Sequence, residues 1–158
     1  MAFLLMGGLL VTAGLLYGIP AMVSDVYYQL EKAKCGWVFS AIVTVSAVLM
    51  MMCLLDTGKG VQALAFLGCG GLAFVGVAPN YINKDEGAVH KGGALFAALG
   101  CMGWCLSACW WVTLIIGALY LAAVITKEEG KEDTLRPWYC AEVAAMLDVF
   151  ITYWITIA

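Results

Sequence analysis

The chain has 158 residues, 64% of them hydrophobic and 12% charged, and a mean hydropathy of +0.95, whereas a soluble domain carries about 25% charged residues. Eight basic against eleven acidic residues give a net charge of -3, which leaves no basic surface for a nucleic-acid partner. The low polarity excludes a disordered chain, and cysteines lying mostly inside apolar runs exclude a disulfide-built secreted scaffold.

Lipid is therefore the expected solvent, and a spanning helix needs about 17–25 mostly apolar residues. The first such run, 1–23, carries no charge and stops as Pro20, Ser24 and Asp25 arrive. It has no basic residue after Met1 and too long an apolar core for a cleavable signal peptide, so it reads as helix 1. Helix 2 is expected over 36–55, between Lys32 and Lys34 on one side and Asp56 on the other. Helix 3 is expected over 60–78, closed by the turn signal Pro79-Asn80.

The stretch Gly92 to Thr126 holds 35 residues without a charge. As one helix it would be about 52 Å long, too long for a bilayer even when tilted. Splitting it gives helices over 91–106 and 108–126 and puts Trp104, Trp110 and Trp111 at a membrane interface, where Trp is enriched. The middle contains no Pro, Asn or Asp, only Gly100, Gly103 and Ser107. The last helix, 138–158, is apolar except for Glu142 and Asp148. The reading is all-α: a polytopic transmembrane helix bundle of six helices in a single domain, 1–158, with five helices as the alternative.

With six helices, the links 1–2, 3–4 and 5–6 share one membrane face. They hold Lys32, Lys34, Lys84, Lys91, Lys127, Lys131 and Arg136, seven of the eight basic residues; only Lys59 lies opposite. The positive-inside rule makes that face cytoplasmic and puts both termini outside. Gly14 and Gly18 form a GxxxG pair, and Gly68, Gly70 and Gly71 sit in helix 3. Small residues of this kind let helices pack closely within one bundle, or against a homo-oligomer or membrane-protein partner. The polar stretch from Lys127 to Pro137 reads as a solvated connection.

Cys101, Cys105 and Cys109 recur every four residues and align on one helical face. Thiolates suit soft metals, but the second ligand pair of a structural zinc site is missing, so these cysteines read as small packing residues. One histidine, His90, does not supply a catalytic zinc set. No G-x-S-x-G elbow and no strand-borne phosphate loop occurs. No metal and no cofactor is expected.

The carboxylates say more, because ionised acids in hydrocarbon are costly and face the bundle interior, find partners or stay protonated. Glu142 and Asp148 are six residues apart, about 240° around a helix, and cannot share a narrow face. Asp148 reads first as an intramembrane acid hydrogen-bonded to a neighbouring helix. Six crossings instead gather Ser24, Asp25, Asn80, His90 and Glu142 at one face, with Tyr27, Tyr28, Tyr81, Trp138 and Tyr139 as interfacial anchors. A histidine beside two carboxylates at a bundle mouth suits a proton, a polar headgroup or a cation. The plainer reading is a hydrogen-bond network that holds helix ends together.

The order Ile19-Pro20, Ser24-Asp25, Gly36-Trp37-Val38-Phe39, Gly76-Val77-Ala78-Pro79, His90 followed by Ala94 and Phe96, and Ala141-Glu142 resembles the Frag/DRAM/Sfk group of six-helix integral membrane proteins and related uncharacterised bacterial families. That resemblance implies a six-helix bundle linked to lipid-anchor remodelling, autophagy or membrane-lipid organisation, with Ser24, Asp25, His90 and Glu142 at the matching positions. The chain departs from the pattern in its minimal loops and in Ala21-Met22-Val23 between Pro20 and Ser24; Asp148 lies outside the pattern. The more distant ceramidase-like hydrolases use several histidines, and one His here argues against their zinc chemistry.

Three functions follow as expectations. The first is a non-catalytic membrane protein whose polar mouth binds a lipid headgroup or partner. The second is a lipid-modifying enzyme with His90 as general acid or base, oriented by Asp25 or Glu142. The third is a small ion or proton transporter or channel subunit using Glu142 and Asp148.

Overall fold

The computed structural model describes residues 1–126 and 136–158; most of the connection expected from Lys127 to Pro137, with its charges, lies outside the described residues. Among the described residues there are six helices: α1 (Ala2–Tyr17), α2 (Asp25–Glu31), α3 (Gly36–Asp56), α4 (Gln62–Val77), α5 (Lys84–Ile125) and α6 (Pro137–Ile157). Three of them, α3, α5 and α6, are long and apolar enough to cross a membrane. The six match those expected from the sequence only in part: α2 is additional, and the two helices expected over 91–106 and 108–126 fall within α5.

The first helix ends at Tyr17 rather than residue 23. Gly18 takes a positive φ of 82°, a conformation glycine reaches at little cost, and Pro20 has no N–H to continue the ladder. The seven-residue α2, unforeseen in the sequence, then forms where Val26 and Leu30 find an apolar wall; Val26 is fully buried beside Phe39 and Val43. Helices α3 and α4 lie where they were expected, within two residues at each end. The start of α5 is seven residues earlier than expected. The side chain of Asn83 accepts a hydrogen bond from the Asp85 amide, and Asp85 and Glu86 occupy the first turn, where acids interact favourably with the helix dipole.

The long charge-free stretch is a single helix only in name, because Cys109 leaves helical geometry (φ -155°, ψ 68°). The cause lies just before it. Ser107 Oγ donates back to the Trp104 carbonyl (2.9 Å) and accepts from the Val61 amide (2.9 Å), so a side chain competes for a carbonyl the helix ladder would use. Trp104 Nε1 donates to the Lys59 carbonyl (3.0 Å), which fastens the same turn to the α3–α4 loop.

Contacts beyond the break show a change of direction. A straight α5 would carry residue 120 about 45 Å from residue 90. Instead Tyr120 donates to the Pro137 carbonyl, Tyr139 N donates to the Ala21 carbonyl, and Ser24 meets His90. The arms 84–108 and 110–125 thus run back along each other. At the opposite end of the bundle, Phe3 packs on Phe150 with ring centroids 4.4 Å apart, and Ser46 donates to the Ala2 carbonyl. The start of α1 and the second half of α6 therefore meet away from His90.

Two apolar clusters form the core. One, near the His90 end, joins Met6, Leu9, Val26, Phe39 and Val75; the other joins Ala2, Leu54, Cys69, Trp104 and Val149. The three tryptophans grouped by the sequence separate here. Trp110 and Trp111 are 62% and 45% exposed, but Trp104 is 0% exposed and belongs to the core. The glycines also divide. Gly68 and Gly71 sit against the backbone of α5, whereas Gly14, Gly18 and Gly70 have nothing within 4 Å of where a Cβ would stand. Among the described residues no neighbour occupies the Cβ positions of the Gly14/Gly18 pair, although Gly18 accepts a hydrogen bond from Gln29 Nε2.

Candidate functional site

The polar groups of the His90 end are assembled by the segment between α1 and α2, by the α4–α5 turn and by the first turns of α6. His90 is 4% exposed. Its Nδ1 lies 2.8 Å from the Ala78 carbonyl and its Nε2 lies 3.0 Å from Ser24 Oγ. A carbonyl oxygen only accepts, so Nδ1 carries the proton. In a neutral ring Nε2 then accepts, and the Ser24 hydroxyl donates to it. Ser24, which precedes α2, makes no side-chain cap there; its hydroxyl is directed at α5 instead.

Asp25 receives the Met22 amide at 3.2 Å and the Tyr81 hydroxyl. Burial, followed by that bond to Asp25, raises the Tyr81 phenol above its ordinary value. Tyr81 therefore keeps its proton through neutral pH and remains the donor. Its ring also lies 5.4 Å from the His90 ring and 5.2 Å from that of Tyr28. Glu142, about one turn into α6, accepts from the Val23 amide, which ties α6 to the residue next to Ser24.

The five residues singled out by the sequence occupy this end in different roles. Ser24 and His90 are in direct contact, Asp25 joins them through Tyr81, and Glu142 joins through Val23. Asn80 stands one step further out. It accepts from Tyr28 (3.0 Å) and from its own turn at Asn83 (3.3 Å), while its amide donates to Glu86 (3.3 Å), so it shapes the α4–α5 connection. Neither carboxylate is a hydrogen-bond partner of the imidazole. The orienting group is the Ala78 carbonyl, which no side-chain pattern announces. Tyr81, read from the sequence as an anchor only, is the second member that was missed; an aromatic directly after Pro79-Asn80 was its one visible signal.

Asp148 lies elsewhere. It is 3% exposed, accepts from Thr152 at 3.4 Å, and has Thr113 and Cys105 beside it. It does not line the space that Glu142 lines, so these two acids do not share a wall. The seven cysteines are all free. Among the described residues no group of three or more His, Cys, Asp or Glu side chains is placed to hold a metal ion.

Ser24 and Glu142 together open onto an apolar cavity enclosed by α1, α3, α4, α5 and α6. The site thus combines hydrogen-bonding groups at one end of a helix bundle with apolar space beneath them. The class these features define, among the described residues, is a helical bundle with a polar mouth and three helices long and apolar enough to cross a membrane. The chain matches no family model, no curated protein and no solved structure.

Proposed function

We propose that the protein crosses the membrane six times and that its polar mouth binds the headgroup of a membrane lipid without acting on it chemically. The single observation that carries this reading is the position of Ser24 and Glu142, polar side chains that border a cavity whose remaining lining is apolar apart from Ser46, itself bonded to the Ala2 carbonyl. Pre-formed concave sites with a few convergent polar groups are the usual form of small-molecule sites. The crossings would be α1, α3, α4, the two arms of α5 and α6, with α2 lying at the membrane face. The resemblance to the Frag/DRAM/Sfk group leads in the same direction through Ser24, Asp25, His90 and Glu142.

Lys32, Lys34, Lys84, Lys91 and Arg136 stand at or near the mouth end in sequence, and Lys59 lies in the opposite loop. The mouth is accordingly cytoplasmic and both termini outside. Epitope tags at the two ends of the chain are expected to be digested together by protease added outside intact cells. Digestion of one tag alone would leave an odd number of crossings and remove the reading.

Headgroup binding is tested by native mass spectrometry of the protein extracted in mild detergent. The wild-type chain is expected to retain lipid. Glu142→Gln, which keeps an oxygen for the Val23 amide but removes the charge, is expected to weaken retention on the order of tenfold, the effect of losing a charge-assisted hydrogen bond. Ser24→Ala is expected to act in the same direction and to leave the helix content unchanged. Equal retention by all three proteins would defeat the proposal. The Ser24 hydroxyl directed at an imidazole nitrogen favours one second reading, acyl transfer from a lipid ester. Lipid turnover by the purified protein, abolished by Ser24→Ala, would establish that reading in place of the first.

A further inference from the structure

Beneath the mouth lies a cavity of about 170 Å³. On α3 its wall is formed by Phe39, Val43, Ser46 and Met50, spaced four, three and four residues apart and therefore on one helical face. From the first to the last of these is about 16 Å along the axis. That is close to half of the ~30 Å hydrocarbon thickness of a bilayer, which is the depth of one leaflet. Opposite them, α5 contributes Ala94, Ala97 and Ala98. Their short side chains leave the lumen unfilled where leucines would close it. The hydroxyl of Ser46 is already donated to the Ala2 carbonyl, so the lower wall offers no free polar donor there.

The chemistry of the opening is one-sided. Among the described residues, the hydrogen bonds received by Asp25 and Glu142 come from the Met22 and Val23 amides and from the Tyr81 hydroxyl, and none comes from a lysine or arginine. Two carboxylates without a guanidinium or ammonium partner repel a phosphate and attract a cation or a hydroxyl donor. Access from the bilayer lies between α1 and α6. Helix α1 packs on α2 and α3 and meets α6 at the Phe3–Phe150 ring pair, which closes the deep end.

From this arrangement we infer that the site takes a single-chain lipid whose head carries a protonated amine and hydroxyl groups, with its hydrocarbon chain lying in the cavity along α3. The inference rests on the headgroup reading above and adds to it the tail and the sign of the head. The amine lies at the Glu142 carboxylate beside Ser24, and the chain end reaches the region of Met50 and Cys101.

The test uses sphingosine carrying a mid-chain diazirine, added to the purified full chain in nanodiscs and cross-linked by light. The labelled peptides are expected to contain Met50 or the segment from Ala97 to Met102. Unlabelled sphingosine is expected to compete on the order of tenfold better than an amine of half its chain length, because the shorter chain leaves the deeper half of the cavity without packing contacts. Ala97→Phe, which places a ring in the lumen, is expected to abolish cross-linking there; Ala145→Phe on the opposite wall serves the same purpose if the first variant does not fold. Equal competition by long and short amines, still lost in Glu142→Gln, would overturn the tail assignment and leave the headgroup reading standing. Stronger competition by lysophosphatidic acid of the same chain length would overturn the amine. Cross-links confined to the outer surface and insensitive to Glu142→Gln would overturn both readings.

Discussion

Trp104→Ala is expected to destabilise the protein by roughly 3–5 kcal/mol, the range for removing a large aromatic side chain from a packed interior. Trp104 is among the largest fully buried side chains, and it packs in the cluster with Leu54, Ala65 and Cys105. Its indole N–H also holds the Lys59 carbonyl, so truncation frees the α3–α4 loop from the turn where α5 reverses. Trp104→Phe keeps most of the packing. It is expected to lose mainly the hydrogen bond, about 1 kcal/mol. Trp110→Ala, at a side chain 62% exposed, is the matched control and is expected to change stability by well under 1 kcal/mol. Unfolding in mixed detergent micelles, followed by tryptophan fluorescence and circular dichroism, separates the three. Equal loss in Trp104→Ala and Trp110→Ala would mean that the reversal is not anchored through this residue.

The contrast between those tryptophans shows what the sequence carries and what it hides. Composition and run length locate α3, α4 and α6 because a long apolar run bounded by charge or a turn residue has few alternatives in lipid. They do not distinguish one tryptophan from another, since burial at Trp104 depends on a loop that is distant in sequence. The same holds for the break at Cys109. No Pro, Asn or Asp marks it, and its cause is a serine hydroxyl used jointly by the Trp104 carbonyl and the Val61 amide. Helix α2 escaped notice because seven residues with one fully buried valine leave too little periodicity to detect. Within the site, Ser24, Asp25, His90 and Glu142 were visible as polar groups at the ends of apolar runs. Their partners were not, because the Ala78 carbonyl and the Val23 amide are backbone groups that any sequence would offer. The cavity was invisible for a related reason. Alanines on one face of α5 read as helix formers, and only the placement of α3 and α6 makes them a wall.

Gly71→Ala, a change of one methyl group, is expected to destabilise the bundle by about 1–3 kcal/mol through overpacking. A Cβ at residue 71 would stand 2.5 Å from both the Ala97 amide nitrogen and the Gly93 carbonyl oxygen. These are backbone atoms, so the clash is relieved only by moving α4 and α5 apart. The neighbouring Gly70→Ala provides the control, since nothing lies within 4 Å of its Cβ position. There alanine is expected to be neutral or to gain up to about 1 kcal/mol, the usual helix preference over glycine. Gly93→Ala should repeat the Gly71 loss, because its Cβ would meet the Gly71 carbonyl at 2.8 Å and Phe74 Cβ at 2.9 Å. Gly93 is less than one turn from His90, and the bond from His90 to Ala78 spans the same pair of helices. Separation of α4 from α5 therefore opens the mouth as well as the core. Lipid retention is expected to fall in Gly71→Ala and Gly93→Ala, yet not in Gly70→Ala. Combining the two damaging changes should cost less than the sum of the single losses, because the first displacement already makes room for the second methyl group. Fully additive losses would show that the two glycines do not share one interface.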